Sequence, residues 1–145
     1  AITELDKRGA EFDLVLAGEQ FPTDPREFVR LRDALDDKLV HYGWAEPDEY
    51  ISLLSSSDVV ISTAHHEFFG IAITEAVYAG AFPVLPNRLV YPERVPARFH
   101  DRCLYRDREE LVAEVIWAIE HREESAAIAA EVGAAMAAAA WSWVE

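Results

Sequence analysis

The sequence predicts an α/β fold, a Rossmann-like parallel sheet flanked by helices. Short apolar runs alternate with helix-length amphipathic stretches along the whole chain. The runs are close to continuous in apolar residues, as strands buried on both faces require. At 145 residues the chain has the length of one domain with its own core, and no linker divides it.

Residues 2–7 read as the tail of a helix. Residues 12–17 (FDLVLA) form the first apolar run, closed by Gly18. A helix follows over 24–35, with Pro25 suited to its first turn and Phe28, Val29, Leu31 and Leu35 turned to the core. Residues 38–42 make a second strand stopped by Gly43, and 48–54 a short helix. Residues 58–62 (DVVIS) are a third strand. The helix over 70–79 ends at Gly80, a natural C-terminal cap residue. Residues 82–85 are a fourth strand and 103–105, opened by Cys103, a short fifth. Helices over 108–120 and 123–140 follow; the second is rich in alanine, which favours helix and buries little per residue. In this architecture a helix at residue 1 should follow a strand. The sheet is therefore expected to lack its first strand, and the chain, which begins at Ala1, to be a truncated part of something longer.

Composition excludes several classes. Hydrophobic residues make up 51% and charged residues 28%, ordinary for a globular protein. No apolar run reaches the roughly 18 residues of a membrane span, and no signal-peptide pattern is present. The formal charge of −14 argues against this domain gripping a phosphate backbone by itself. A single cysteine rules out an internal disulfide framework and fits the reducing cytoplasm.

The chemistry concentrates in residues 63–75, TAHHEFFGIAITE, between the third strand and the next helix. Ligands of open α/β sheets bind outside the carboxyl ends of the strands, which is where this loop falls. Gly70 and Ile71 are expected to present unpaired backbone N–H groups at a helix N-terminus, an anion site suited to a diphosphate. Gly70 has no side chain to keep a phosphate away. Glu67 precedes the helix and Glu75 lies inside it, so two carboxylates can hold the paired hydroxyls of a sugar and a ribose. The plainer reading of the same pair is a capping Glu67 and a surface Glu75.

This stretch resembles the Glu-x7-Glu motif of retaining GT-B glycosyltransferases of the glycogen-synthase-like family 4 group. The elements in register are Glu67-Phe68-Phe69-Gly70, Glu75-Ala76, Gly80, Pro83-Val84 and Glu93. His41-Tyr42-Gly43-Trp44 falls where the family turns beside the base, and Trp141-Ser142-Trp143 is similar to its closing Phe-Ser-Trp segment. The wording STAHHEFFGIAITEAVYAG followed by LVYPE is closer still to the tRNA-queuosine mannosyltransferase family and its bacterial relatives. Those proteins also lack the usual Gly-Gly before the later Glu, with Leu89-Val90-Tyr91-Pro92 in its place, and this departure puts the local backbone shape in question.

The resemblance implies the C-terminal, donor-binding domain of a GT-B fold over 1–145, with a separate N-terminal acceptor domain absent from this chain. It implies a nucleotide-diphosphate sugar, GDP-mannose in the animal members, and queuosine in tRNA as the acceptor reached through that other domain. Glu67 is then the candidate catalytic residue, against the donor sugar hydroxyls, and Glu75 takes the ribose. Phe69, Gly70 and Ile71 line the diphosphate and sugar through their backbone, and Gly43 and Trp44 flank the base. His66 and Arg88 complete the donor-binding candidates. The isolated chain is expected to bind nucleotide weakly and to transfer no sugar.

Other residues carry weaker claims. Adjacent side chains such as His65 and His66 point in different directions and rarely share an ion, and the chain has no Asp-x-Asp. No metal and no cofactor are therefore expected, with a helix terminus and basic residues stabilising the leaving diphosphate. Arg88 and Asn87 can approach a phosphate or serve as surface and loop anchors. Trp44 can stack on a base, although an aromatic after a strand is more often core. Cys103 reads as buried packing, and Glu109-Glu110 and Glu123-Glu124 as helix-start residues favoured by the dipole. In the strand order 3-2-1-4-5-6 an absent first strand is central and leaves two inner edges unpaired. The isolated chain is expected to close that gap directly, to borrow a strand from another copy, or to depend on further polypeptide. Two other functions share the fold: a GT-B nucleotide-sugar epimerase and a flavodoxin- or receiver-like regulatory module. A receiver needs clustered acids after its first strand and a lysine after its fifth; Gly18-Glu19-Gln20 follows the first strand here, and no such lysine is present.

Overall fold

The computed structural model describes residues 1–18 and 26–141. Pro25 and the segment Ser142-Trp143, along with Glu19 and Gln20, lie outside the described residues, as do the side chains of Phe28 and Trp141. The chain divides into two units, Ala1–Leu53 and Leu54–Glu145.

In the first unit, α1 (Ile2–Lys7) leads into β1 (Leu14–Ala17), α2 (Arg26–Ala34), β2 (Leu39–Gly43) and the start of α3 (Pro47–Ser56). β1 and β2 pair in parallel, with a register shift between Leu14 and Val15. Gly43 ends β2 with φ of 105°, a backbone region that glycine enters without strain, and its carbonyl accepts from the Gly18 N–H at 2.9 Å. Leu5, Leu14 and Leu35 are buried, whereas Val29 and Leu31 are half-buried. Lys38 ties the unit's entry together: its Nζ lies 2.8 Å from Asp6 Oδ1, donates to the Ala10 carbonyl at 3.2 Å and sits over the Phe12 ring. The hydrogen bond to Asp6 holds the ammonium above its ordinary pKa.

The second unit holds β3 (Val59–Ile61), α4 (Ile71–Tyr78), β4 (Phe82–Pro86), α5 (Tyr91–Arg94), a 3-10 turn (Ala97–Phe99), α6 (His100–Cys103), β5 (Leu104–Tyr105), α7 (Arg108–Glu120) and α8 (Arg122–Trp141). Its sheet is parallel, in the order β3-β4-β5. Every residue of β4 is buried. Pro83 and Pro86 are unusual in a central strand because they donate nothing to a ladder. Phe82 and Val84 bond to β3, so Pro83 faces the β5 side, where pairing begins only at Leu85. By the same alternation Pro86 faces β3 beyond its last paired residue, Ile61. Neither proline removes a bond that a neighbour needs.

Gly80 ends α4 as expected. Its φ is 115°, its N–H donates to Val77, and the Ala81 N–H reaches back to Ala76, which together satisfy the last carbonyls of the helix. The alanine-rich α8 buries Ser125, Ile128, Ala129, Val132, Gly133 and Met136, a helical stripe of small and aliphatic residues. At Gly133 the backbones of α4 and α8 come so close that a Cβ would stand 2.9 Å from the Val77 carbonyl oxygen. Asp107 caps α7 by accepting from the N–H groups of Glu109 and Glu110, both at 2.9 Å.

Among the described residues the hydrogen-bond ladders form two parallel sheets, β1-β2 in the first unit and β3-β4-β5 in the second. One expectation about the elements is corrected. Cys103 does not open a strand; it ends α6, fully buried, and burial pushes its thiol up to about 12. The segment between β4 and β5 holds two short helices and a 3-10 turn, too brief to show a helical period in the sequence.

Candidate functional site

The loop from Ser62 to Gly70 leaves the carboxyl end of β3 and turns into α4. Glu67 organises it. Its Oε1 accepts from three successive backbone N–H groups, those of Phe68 (3.0 Å), Phe69 (3.2 Å) and Gly70 (2.9 Å). The carboxylate thus closes the turn that leads into α4, whose N-cap Gly70 makes no side-chain cap of its own, and lies near the helix's positive end. This corrects the expectation of an unpaired Gly70 N–H, since Glu67 already holds it. For the next N–H, that of Ile71, no acceptor is found among the described residues.

Gly70 is the N-cap of α4 with φ of 64°, and its carbonyl accepts from both the backbone N–H (2.8 Å) and the Oγ1 (2.9 Å) of Thr74. Beneath it lies the Tyr91 ring, with Cε1 only 3.3 Å from where a Cβ on Gly70 would stand. Glycine is required here for conformation and for space.

The floor is a buried polar network that the sequence did not disclose. The Tyr91 hydroxyl and Ser62 Oγ are 2.9 Å apart, and the Tyr105 hydroxyl donates to the Ser62 carbonyl at 2.8 Å. Ser62 Oγ also accepts from the Ala64 N–H at 3.3 Å. Burial is the main cause that raises the pKa of both tyrosines, so they stay neutral donors. The signal that could have found them is their position: Ser62 just past β3, Tyr105 ending β5 and Tyr91 opening α5, all at one edge of the sheet.

Arg88 follows β4, and its Nη2 donates to the Ala64 carbonyl at 3.1 Å, which ties this loop to the one bearing Glu67. Its neighbour Leu89 has φ of 62°, a left-handed conformation unusual for a side chain of its size. Asn87 uses its backbone N–H on the Tyr105 carbonyl. Leu89 therefore holds a backbone shape that glycine adopts easily, whereas Val90 is right-handed with φ of −78°.

Glu75 lies on the exposed face of α4, in line with Ile71 and Tyr78 at helical spacing. His65, His66, Phe68 and Phe69 are exposed on the loop. Among the described residues no three His, Cys, Asp or Glu side chains converge to hold a metal ion. No helix among them is long and apolar enough to cross a membrane.

The structure thus brings Glu67, Phe69, Gly70, Ile71 and Arg88 to one edge of the second unit, with His66 on the same loop and Glu75 on the helix that follows. Gly43 and Trp44 belong to the first unit. Trp44 is 63% exposed, which overturns core packing as its role. His41 is held there between the Gly43 carbonyl (3.2 Å) and Glu49 Oε1 (3.3 Å). His100 bonds to the Val95 carbonyl, and His121 bonds to the Trp117 carbonyl and stacks on its ring. A cavity of about 170 Å³, lined by Ser57, Asp58, Gly80 and Arg122 among others, lies at the amino end of β3. The carbonyl end of α4 faces that region, an unfavourable setting for a diphosphate.

Parallel sheets flanked by helices, with a loop at the carboxyl edge of β3, form an α/β fold of the GT-B class. Residues 1–133 match the family described as Glycosyl transferases group 1, and the chain belongs to that family. It is similar to a tRNA-queuosine alpha-mannosyltransferase of Drosophila melanogaster, 43% identical over 95 residues. That match takes in 66% of this chain and 25% of the relative, so the similarity spans about a quarter of the longer protein. In fold it is similar to the catalytic domain of the cholesterol-alpha-glucosyltransferase of Helicobacter pylori, with a TM-score of 0.66. That likeness covers 86% of this chain and 78% of the other at 22% identity.

Proposed function

We propose that this chain is the donor-binding unit of a retaining, cytoplasmic glycosyltransferase that takes GDP-mannose and passes mannose to queuosine in tRNA. In this reading further polypeptide supplies the acceptor site. The observation that carries it is the clamp of Glu67 on three N–H groups of the turn that leads into α4. With Oε1 fixed, the other carboxylate oxygen is pre-oriented toward the donor sugar hydroxyls. The turn that Glu67 closes and its catalytic role are then one arrangement.

The diphosphate is met by the Ile71 N–H and the positive end of α4, whose attraction grows as the leaving group gains charge. Arg88, anchored to Ala64, places a cation beside the same loop. Glu75 takes the ribose hydroxyls. The scheme needs no metal, consistent with the lack of an Asp-x-Asp sequence. The name of the Drosophila relative supports mannose and queuosine, and the family supports a nucleotide sugar.

The test is calorimetric titration of the full-length protein with GDP-mannose and UDP-glucose, followed by transfer assays on queuosine-bearing tRNA. Glu75→Ala is expected to weaken donor binding by about 1–3 kcal/mol, the worth of a hydrogen bond to a charged group. Unchanged affinity removes Glu75 from the site. Transfer should persist in a metal chelator, and residues 1–145 alone should transfer none.

A further inference from the structure

The loop that holds the candidate donor site also carries an aromatic side chain that nothing so far employs. Phe68 is 83% exposed, yet its backbone is fixed, because its N–H donates to Glu67 Oε1 at 3.0 Å. The loop on either side is pinned as well: Arg88 holds Ala64, and Thr74 holds the Gly70 carbonyl. A large apolar ring on a well-anchored backbone loses little conformational entropy on binding, which suits a contact platform. Within the pattern Glu67-x-Phe69-Gly70, Phe68 also fills the variable position, and the turn uses only its backbone N–H, so the turn does not dictate its identity.

We infer that Phe68 is a specificity residue for the acceptor, stacking its ring on a planar heteroaromatic base beside the donor sugar. This rests on the donor reading of Glu67. A transferase must seat two substrates. The carboxylate, the Ile71 N–H and Arg88 address the polar donor, and the ring one residue beyond Glu67 is left to address the second. Charge selects the kind of contact. With a formal charge of −14, this chain repels the phosphates of a nucleic-acid acceptor and anionic membrane surfaces alike. A base presented by its π face avoids that repulsion, and stacking on an aromatic side chain does not depend on counter-charge.

The experiment compares full-length unsubstituted protein with Phe68→Ala, Phe68→Leu and Phe68→Trp. It measures KM for queuosine-bearing tRNA, Kd for GDP-mannose by calorimetry and the thermal midpoint. Phe68→Ala and Phe68→Leu are expected to raise the acceptor KM about tenfold, in the range that loss of base stacking produces. Phe68→Trp should stay close to the parent, and donor Kd should not move in any variant. An unchanged acceptor KM in Phe68→Ala overturns the inference while leaving the donor reading intact. A weakened donor Kd with unchanged acceptor KM also overturns it, by making Phe68 a donor contact. Phe68→Leu behaving like the parent excludes stacking in favour of plain apolar contact. Absence of transfer by the unsubstituted protein sinks the acceptor reading, and this inference with it.

Discussion

Gly70 rests on Tyr91: the missing Cβ would lie 3.3 Å from the tyrosine Cε1, and the tyrosine hydroxyl is bonded to Ser62 at the end of β3. The left-handed N-cap, the ring beneath it and the strand end form one stack. Gly70→Ala must force φ of 64° on a side chain and crowd the ring. We expect a loss of about 1–2 kcal/mol, the left-handed penalty partly offset by a stiffer unfolded chain. Urea denaturation checks it, and an unchanged midpoint would falsify the stack. Tyr91→Phe should cost about 1 kcal/mol through the lost hydrogen bond.

Glu67 closes the turn before α4 through an oxygen that an amide can replace. Glu67→Gln therefore keeps an acceptor for the three N–H groups and forfeits only the charge–dipole attraction, about 0.3–1 kcal/mol. If the carboxylate also holds the donor sugar in the transition state, the same change lowers kcat/KM roughly 10- to 150-fold. Paired measurements of thermal midpoint and turnover separate the two roles. A variant equally stable and equally active shows that the carboxylate charge serves neither role.

The contact between α4 and α8 depends on Gly133. Alanine there adds a Cβ at 2.9 Å from the Val77 carbonyl oxygen, so the helices must part. Overpacking of that kind costs about 1–3 kcal/mol, against roughly 1 kcal/mol gained in helix propensity. Gly133→Ala is expected to be destabilised by about 1 kcal/mol. A stabilised variant in chemical denaturation would mean that the helices separate freely.

Much of this was legible in the sequence because burial on both faces leaves an unmistakable mark. The β4 run is apolar throughout, and Gly80 announces the end of α4. The loop's place between β3 and α4 was legible from the polar run after β3 and from Gly70. What stayed hidden had nonlocal causes. The Gly70 N–H looked available because its acceptor is a side chain three residues back, and Tyr105 is brought to Ser62 only by the pairing of β4 with both neighbours. Trp44 was drawn toward the core by a statistical habit of aromatics, and it lies outside.

Alkaline pH should weaken the fold in a defined window. The native Cys103 thiol keeps its proton up to about 12, whereas an ordinary thiol loses it near 9.0. Between these values the unfolded chain binds fewer protons, so stability falls as pH rises, by up to about 1.4 kcal/mol per pH unit. Tyr91 and Tyr105, raised mainly by burial, add to the decline above pH 10.0. Denaturation midpoints from pH 8 to 11 should fall more steeply in the parent than in Cys103→Ala. Parallel slopes would exclude the thiol as a contributor.

Leu89 holds φ of 62° without being glycine. Leu89→Gly should be close to neutral, conformational relief offsetting the looser unfolded chain and lost packing, whereas the β-branched Leu89→Val should cost about 1–2 kcal/mol. Thermal melts of the two variants check the ordering. The bend after β4 is thus fixed by a dihedral angle that leucine sustains here without glycine. A sequence pattern that demands a glycine pair at this bend does not describe this chain, whereas the angle does.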